Sequence, residues 1–378
     1  MKNKIFVPLL FSIISLSTFS QAGVTIVDSI TSGGIYRKFR LYVPSVYNGA
    51  VAVPLILNLH GYTSNALQQQ AYSNFMPIAD TANFLVVHPD GTNGVGGQYW
   101  NAGFGGTVND VQFMSDLIDS LSFIYNIDND RVYSCGMSNG GIMSYYLACN
   151  LPARIAAIAS VAGTMLNSWF SCAPVRAFPV MEIHGTADGT VNYLGDATFA
   201  PIDSIVKKWR VHNNCNPAPI TYSVPDINNT DNSTAVNYKY NGGNDGTSVE
   251  LYKITGGSHS WPGALPVIAN TNEDFNATVE IWRFFRKYKL TQFITGIEEI
   301  KNKLNLQGKI KVYPNPSSEI ITVDGIENAQ LNVFSLDRKK VLSAEKSAVL
   351  NIENLNPGMY FLEIKNESLI TTIKFIKD

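Results

Sequence analysis

The chain predicts an α/β protein: a mainly parallel sheet covered by helices on both faces, followed by a small all-β sandwich. Apolar runs of strand length, several closed by glycine, alternate with helical segments from about residue 36 to residue 289. That alternation implies a sheet buried on both faces. The pattern changes near Gly296, where "GIEEIKNKLNLQGK" is polar and reads as a linker. Beyond it only short alternating segments with turns between them remain, and no helical period appears.

The 378 residues exceed one average domain and suit a large domain plus a small one. At the N-terminus Lys2 and Lys4 precede the apolar run Ile5 to Leu16, and "STFSQAG" follows. A basic segment, a short apolar segment and small residues are the parts of a signal peptide, and the run is too short to span a bilayer. The expected organisation is a signal peptide at 1–22, a catalytic domain at 23–293, a linker at 294–306 and a C-terminal β-sandwich at 307–378. The formal charge of −2 with no basic stripe argues against a nucleic-acid partner, and no segment suits a transmembrane helix.

"YRKFRLYVPSVY" (36–47) alternates as a strand. "VPLILNLHG" (53–61) is a buried central strand. "ALQQQAYSNFMPIADTA" (66–82) is helical, with Pro77 as a kink, and "NFLVVHPDG" (83–91) is the next strand. In "NDVQFMSDLIDSLSFIYNI" (109–127), Val111, Met114, Leu117, Ile118, Leu121 and Ile124 fall on one helical face, with Asn109 or Asp110 as cap. Then come strand "DRVYSCG", helix "NGGIMSYYLACN", strands "IAAIASVAG" and "FPVMEIHG", and helix "PIDSIVKKWRVHNN". "TAVNYKY" and "SVELYKITGG" form a hairpin, and "DFNATVEIWRFFRKYK" (274–289) is the last helix. Chemistry in such sheets sits at the carboxyl ends of the strands.

One such end carries Gly136-Met137-Ser138-Asn139-Gly140, between a strand and a helix. A G-x-S-x-G turn in that context lifts a serine hydroxyl above the sheet. The competing reading of Ser138 is a helix N-cap. A serine nucleophile needs a base and an acid to orient the base. Of His60, His88, His184, His212 and His259, the last stands in a glycine-rich loop after a strand and after Ser138, where a base belongs. Asp188 follows the strand ending at Ile183, and Asp196 is its competitor. The oxyanion donors are expected to be the backbone amides of Asn139 and Tyr62, with Thr63 as fallback and His60 as a brace. Trp100 and Trp261 stand in loops; each either contacts substrate or closes a loop over the core. Asp110 either supports the site or caps its helix. None of the cysteine spacings resembles a zinc site. Three cysteines, Cys149, Cys172 and Cys215, are placed to gather at the sheet's far end with one bridge among them, and Cys135 reads as a buried thiol.

The ordered motifs "LNLHGYTSNA", "VHPDGT", "YWNAG", "NDVQFM", "GMSNGGIMSYYLAC", "HGTADGTVNY" and "GGSHSWPG" resemble the secreted polyhydroxybutyrate depolymerase-like and feruloyl esterase-like α/β-hydrolases over about residues 24–290. The resemblance implies a serine carboxylesterase with triad Ser138, Asp188 and His259, an oxyanion hole at Tyr62 and Asn139, and no metal or other cofactor. Many relatives carry cysteine where Tyr62 stands. "VYPNPSSEIITV", "LNIENLNPGMYFLEI" and the terminal "TTIKFIKD" resemble the type IX secretion sorting domain. That implies the type IX machinery as a partner, transit through the periplasm, and release or surface attachment. The substrate class stays open between feruloyl or acetyl esters of plant polysaccharides and hydroxyalkanoate polyesters. A peptidase of the same fold and a non-catalytic surface adhesin are the rival classes.

Overall fold

The computed structural model describes residues 23–268, 270–293, 310–326, 328–335, 339–366 and 370–378. The expected signal peptide (1–22) and linker (294–306) lie outside the described residues. The large sheet is built from β1 (Val24–Ser32), β2 (Ile35–Val43), β3 (Val53–Leu59), β4 (Leu85–Pro89), β7 (Ile127–Met137), β8 (Ala157–Val161), β9 (Val180–Gly185), β10 (Ile220–Ser223), β11 (Thr234–Tyr240) and β12 (Val249–Thr255). A separate short hairpin pairs β5 (Thr92–Gly94) with β6 (Gly97–Tyr99). The strand order is β1-β2-β4-β3-β7-β8-β9-β12-β11-β10, with crossovers wherever neighbours are not consecutive in the chain. β4, β3, β7, β8, β9 and β12 run parallel, and antiparallel strands close both edges.

Helices explain why the central strands read as unbroken apolar runs. α3 (Asp110–Ile124), α4 (Asn139–Asn150) and α5 (Ile202–His212) bury Phe113, Leu117, Ile142, Ile205 and Trp209 against Leu55, Leu57 and Val180 on one face. α6 (Ala277–Phe285) and the Phe75–Ala79 segment bury Ile281, Phe284, Phe285 and Phe75 against Ile56, Val86 and Tyr133 on the other. With apolar partners on both sides, no strand position needs a polar side chain.

Four local details differ from the sequence expectation. The 66–82 segment is two helices, α1 (Ala66–Ser73) and α2 (Met76–Ala82), and the break is at Asn74 rather than Pro77. Asn74 sits at φ 38°, a left-handed conformation that asparagine tolerates, and its amide closes α1 on Gln70. Pro77 lies in the first turn of α2, where a missing N–H costs nothing. Ile124 is exposed at the end of α3. β1, the β5–β6 hairpin and β10 complete pairings that their own sequences did not announce. The last helix is shorter than expected, beginning at Ala277 where Asn276 accepts from the Val279 amide. One disulfide joins Cys149 to Cys172, and Cys135 and Cys215 are buried free thiols.

The C-terminal strands are β13 (Lys311–Tyr313), β14 (Ile320–Asp324), β15 (Gln330–Phe334), β16 (Lys340–Ala344), β17 (Val349–Asn351), β18 (Gly358–Lys365) and β19 (Ile370–Lys377). They form two antiparallel sheets, β13-β14-β17 and β16-β15-β18-β19. Alternate residues such as Ile321, Val323, Leu331, Val333, Leu362 and Ile364 make a separate apolar core.

Candidate active site

Ser138 stands between the end of β7 and the first residue of α4. Its backbone lies at φ 55° and ψ −119°, a conformation that costs a non-glycine residue about 1–3 kcal/mol. Backbone hydrogen bonds on both sides of the turn hold it there. Its amide donates to Val161 O at 2.8 Å, and its carbonyl accepts from Ile142 N at 2.9 Å. The flanking glycines allow β3 to approach the turn: a Cβ on Gly140 would meet Leu59 O at 2.1 Å, and one on Gly136 would meet it at 2.5 Å. Ser138 occupies the N-cap position, yet its side chain makes no capping bond. The helix-cap reading of this serine therefore loses its support.

Asp188 lies in the turn after β9. Its Oδ1 accepts the amides of Thr190 and Val191, each at 2.8 Å, which fixes the carboxylate. Its Oδ2 faces Nδ1 of His259 at 2.7 Å. The two loops meet because Gly185 and Gly257 pass so closely that a Cβ on Gly185 would lie 2.2 Å from Gly257 O. Ala187 N also donates to Gly257 O at 3.0 Å. Asp196 is exposed and spends Oδ1 on the amides of Thr198 and Phe199. Burial raises the cost of ionising Asp188, but hydrogen bonds from His184 and His259 outweigh it and hold the carboxyl well below the usual range.

His259 is one-fifth exposed. It shares with Ser138 the wall of a cleft of about 470 Å³, along with Tyr62, Tyr72, Met137, Leu265 and Ile268. No Asp, Glu, Lys or Arg lines this cleft among the described residues. Tyr62 forms its rim and is half exposed, its hydroxyl donating to Val95 O. Asn139 is the first residue of α4, so its amide has no acceptor within the helix. Thr63, the fallback donor, gives its amide to Gln98 O at 2.8 Å. His60 braces the loop as expected: Nδ1 donates to Gly61 O at 2.7 Å, and Nε2 accepts from Gly91 N at 2.9 Å. Burial pushes its pKa down, in keeping with a neutral ring.

The tryptophans correct one expectation. Trp100 and Trp261 are fully buried and neither lines the cleft. Trp100 Nε1 donates to His60 O at 2.9 Å, and Trp261 Nε1 donates to Thr278 Oγ1 at 3.0 Å. A buried indole needs a partner for its N–H, and both find one inside the protein. These residues close loops over the core, which leaves no ring face for substrate.

Four supporting residues, Arg37, Tyr145, Glu182 and His184, were not recognised in the sequence, and neither was the role of the Asn139 side chain. The Asn139 side chain clasps the Trp100 backbone, Oδ1 accepting from its amide at 2.6 Å and Nδ2 donating to its carbonyl at 3.1 Å. Arg37 pairs with Asp110 at 2.6 Å, with both side chains buried, and Asp110 also accepts from Asn101 N at 2.7 Å. Asp110 thus anchors the loop that Asn139 grips, while Asn109 caps α3 by accepting from Gln112 N. Glu182, His184 and Tyr145 form a buried chain behind Asp188. Its sequence signal was available: two ionisable residues, spaced by two, within the apolar strand "FPVMEIHG". Among the described residues, no group of three or more His, Cys, Asp or Glu is arranged to hold a metal ion, and no helix is long and apolar enough to cross a membrane.

Residues 38–215 match the family model described as Esterase PHB depolymerase, and residues 311–378 match the Secretion system C-terminal sorting domain. The chain is 32% identical over 236 residues to a bifunctional acetylxylan esterase/xylanase of Neocallimastix patriciarum, covering 62% of this chain and 33% of that protein. It is 32% identical over 237 residues to feruloyl esterase B of Piromyces equi, covering 59% and 42% respectively. With poly(3-hydroxyalkanoate) depolymerase C of Paucimonas lemoignei it shares 26% over 277 residues, covering 66% and 64%. The chain thus spans well under half the length of the first two relatives. All three are named carboxylic ester hydrolases.

Proposed function

We propose that the esterase PHB depolymerase domain of this chain is a serine carboxylesterase acting through Ser138, His259 and Asp188. The observation that carries the reading is the strained, uncapped Ser138 on the wall of the cleft that also holds His259, whose other nitrogen is fixed by Asp188. Ser138 Oγ attacks the ester carbonyl carbon while His259 Nε2 takes its proton. Nδ1–H stays on Asp188 Oδ2, which holds the ring and stabilises the imidazolium. The amides of Tyr62 and Asn139 stabilise the oxyanion. Collapse of the tetrahedral adduct expels the alcohol, which takes the proton from His259. Water then repeats the sequence on the acyl-enzyme.

The acyl side of the substrate lies against the apolar wall of Tyr62, Tyr72, Met137, Leu265 and Ile268, since no Asp, Glu, Lys or Arg lines the cleft among the described residues. We take feruloyl or acetyl esters of plant polysaccharides as the first substrate class, in line with the names of two relatives. A hydroxyalkanoate polyester is the second, favoured by the exposed Leu265 and Ile268 at the cleft edge. A signal peptide at 1–22, a catalytic domain at 23–293, a linker at 294–306 and a sorting domain at 307–378 would carry the chain through the periplasm to the outer cell surface or medium. The test is the purified protein on methyl ferulate, acetylated xylan, short nitrophenyl esters, hydroxybutyrate oligomers and a peptide, each beside Ser138→Ala. Ester hydrolysis that vanishes in the variant supports the reading. Hydrolysis of the peptide alone, or equal activity in the variant, overturns it.

A further inference from the structure

We infer that His184 is a doubly protonated imidazolium locked between Glu182 and Asp188, and that it is a positioning residue for the proposed Asp188–His259 pair. This rests on the triad reading above.

The argument begins with hydrogen-bond counting. His184 Nδ1 lies 3.1 Å from Glu182 Oε1. Its Nε2 lies 2.8 Å from Val191 O and 3.3 Å from Asp188 Oδ2. Both ring nitrogens therefore face acceptors. A neutral imidazole carries one N–H and could serve only one side; the cation serves both. The other way to balance the protons is to place one on Glu182, so that its hydroxyl donates to Nδ1. The Nδ1–Oε1 separation speaks against that, because 3.1 Å lies within the range of an N–H donor and is long for a bond donated by a hydroxyl; Oε2 accepts from the Tyr145 hydroxyl at 2.9 Å in either arrangement. The side chains of Glu182 and His184 are wholly buried, so solvent cannot repair a missing partner.

The surroundings act on both partners, and burial pushes the Glu182 carboxyl up. Burial opposes a charged ring, yet the bonds to Asp188 and Glu182, together with the charge of Glu182, push His184 up to about 9. From the neighbouring elements, Lys253 of β12 pairs across from it in register and rests its ammonium over Tyr193. Tyr193, whose hydroxyl donates to Asp203, places its ring edge-on to His184 at 5.9 Å. Tyr145 of α4 and His259 are the remaining titratable groups facing the chain.

The consequence for the site is geometric and electrostatic. Through Val191 O and Asp188 Oδ2, His184 pins both the turn and the oxygen that holds His259. Tyr145 belongs to the helix that begins beside Ser138, so the chain Tyr145–Glu182–His184–Asp188–His259 ties that helix to the acid. The cation also limits how strongly Asp188 favours a proton on His259, which keeps the base free at lower pH.

Two experiments test this. In the wild-type protein with nitrogen-15-labelled histidine, His184 should show two exchange-protected N–H signals near neutral pH; a single N–H would overturn the proposal. The His184→Gln variant keeps a donor toward Val191 O without the charge. Its kcat should fall about 10-fold with KM nearly unchanged, and the acid limb of its kcat/KM profile should move to higher pH. An unmoved acid limb beside a normal Tm would mean a packing role only and would sink the inference. If Ser138→Ala proves as active as wild type, the triad reading itself fails; the two-signal imidazolium would still be observed, so the failures are distinguishable.

Discussion

Asp188 has a buried side and a cleft side, and a histidine stands on each. His184 is wholly buried, and both its nitrogens are spent on protein acceptors. His259 is one-fifth exposed, gives one nitrogen to Asp188, and leaves the other toward a cleft shared with Ser138. On the two proposals above, the same side chain on the same carboxylate oxygen is a fixed charge in one place and a proton carrier in the other. What separates them is access: a group whose every polar atom is satisfied cannot exchange a proton with substrate.

The largest expected effect comes from breaking the cleft side. Ser138→Ala or His259→Ala should lower kcat by about 10⁴-fold or more. Thermal stability should largely hold, since Ser138 makes no capping bond and the His259 ring is only partly buried at the cleft wall. A Tm drop comparable to that of a core mutation would show that these residues are structural.

Breaking the buried side should reverse the balance. His184→Ala leaves the Glu182 carboxylate buried with no cation, which should cost about 3 kcal/mol or more in denaturant unfolding. A cost near zero would show that the pair is not charged. The comparison also has a pH signature. His184 is raised from the ordinary 6.5 to about 9, so the stability it contributes is complete below pH 6.5 and is lost as pH rises through about 9. Wild-type unfolding free energy should decline across that window, and His184→Gln should flatten the decline. Asp188, held low, acts in the opposite sense, and its contribution is lost at acid pH.

Smaller effects sharpen the boundary between the two sides. Tyr145→Phe removes a single bond to Glu182 and should cost about 1–2 kcal/mol of stability with only a modest change in kcat. Leu265→Ala at the cleft edge should raise KM for an aromatic or long-chain ester a few-fold and leave a short acetyl ester nearly unaffected. If both esters respond alike, Leu265 does not touch the acyl group.

Much of this arrangement was legible in the chain. The alternation of apolar runs and helical segments gave the α/β layering, because strands buried on both faces are mostly apolar and carry a polar residue only where a buried partner meets it, as Glu182 and His184 do. Ser138, Asp188 and His259 were legible through their places after strands and their order. The tryptophans stayed between two readings because a loop position does not say which way a ring faces; the loops of Trp100 and Trp261 fold inward, and their N–H groups find partners there. The break at Asn74 was misplaced because Pro77 is the stronger punctuation mark, although proline fits the start of a helix as well as it interrupts one.

The sequence by itself determined the central strands and most of the helices (though not β1, β5, β6 or β10), where the domain changes character, and which serine, aspartate and histidine stand at strand ends. Those are local properties, fixed by periodicity, glycine and chain order. Only the tertiary structure decided that Cys149 pairs with Cys172, that Asn139 clasps the Trp100 backbone, that Arg37 reaches Asp110, and that His184 backs Asp188 while His259 faces the cleft. Each depends on elements distant in the chain or on which side of a carboxylate a ring lies. Hydrogen-bond satisfaction in a buried space settles such questions, and a linear pattern carries no distances.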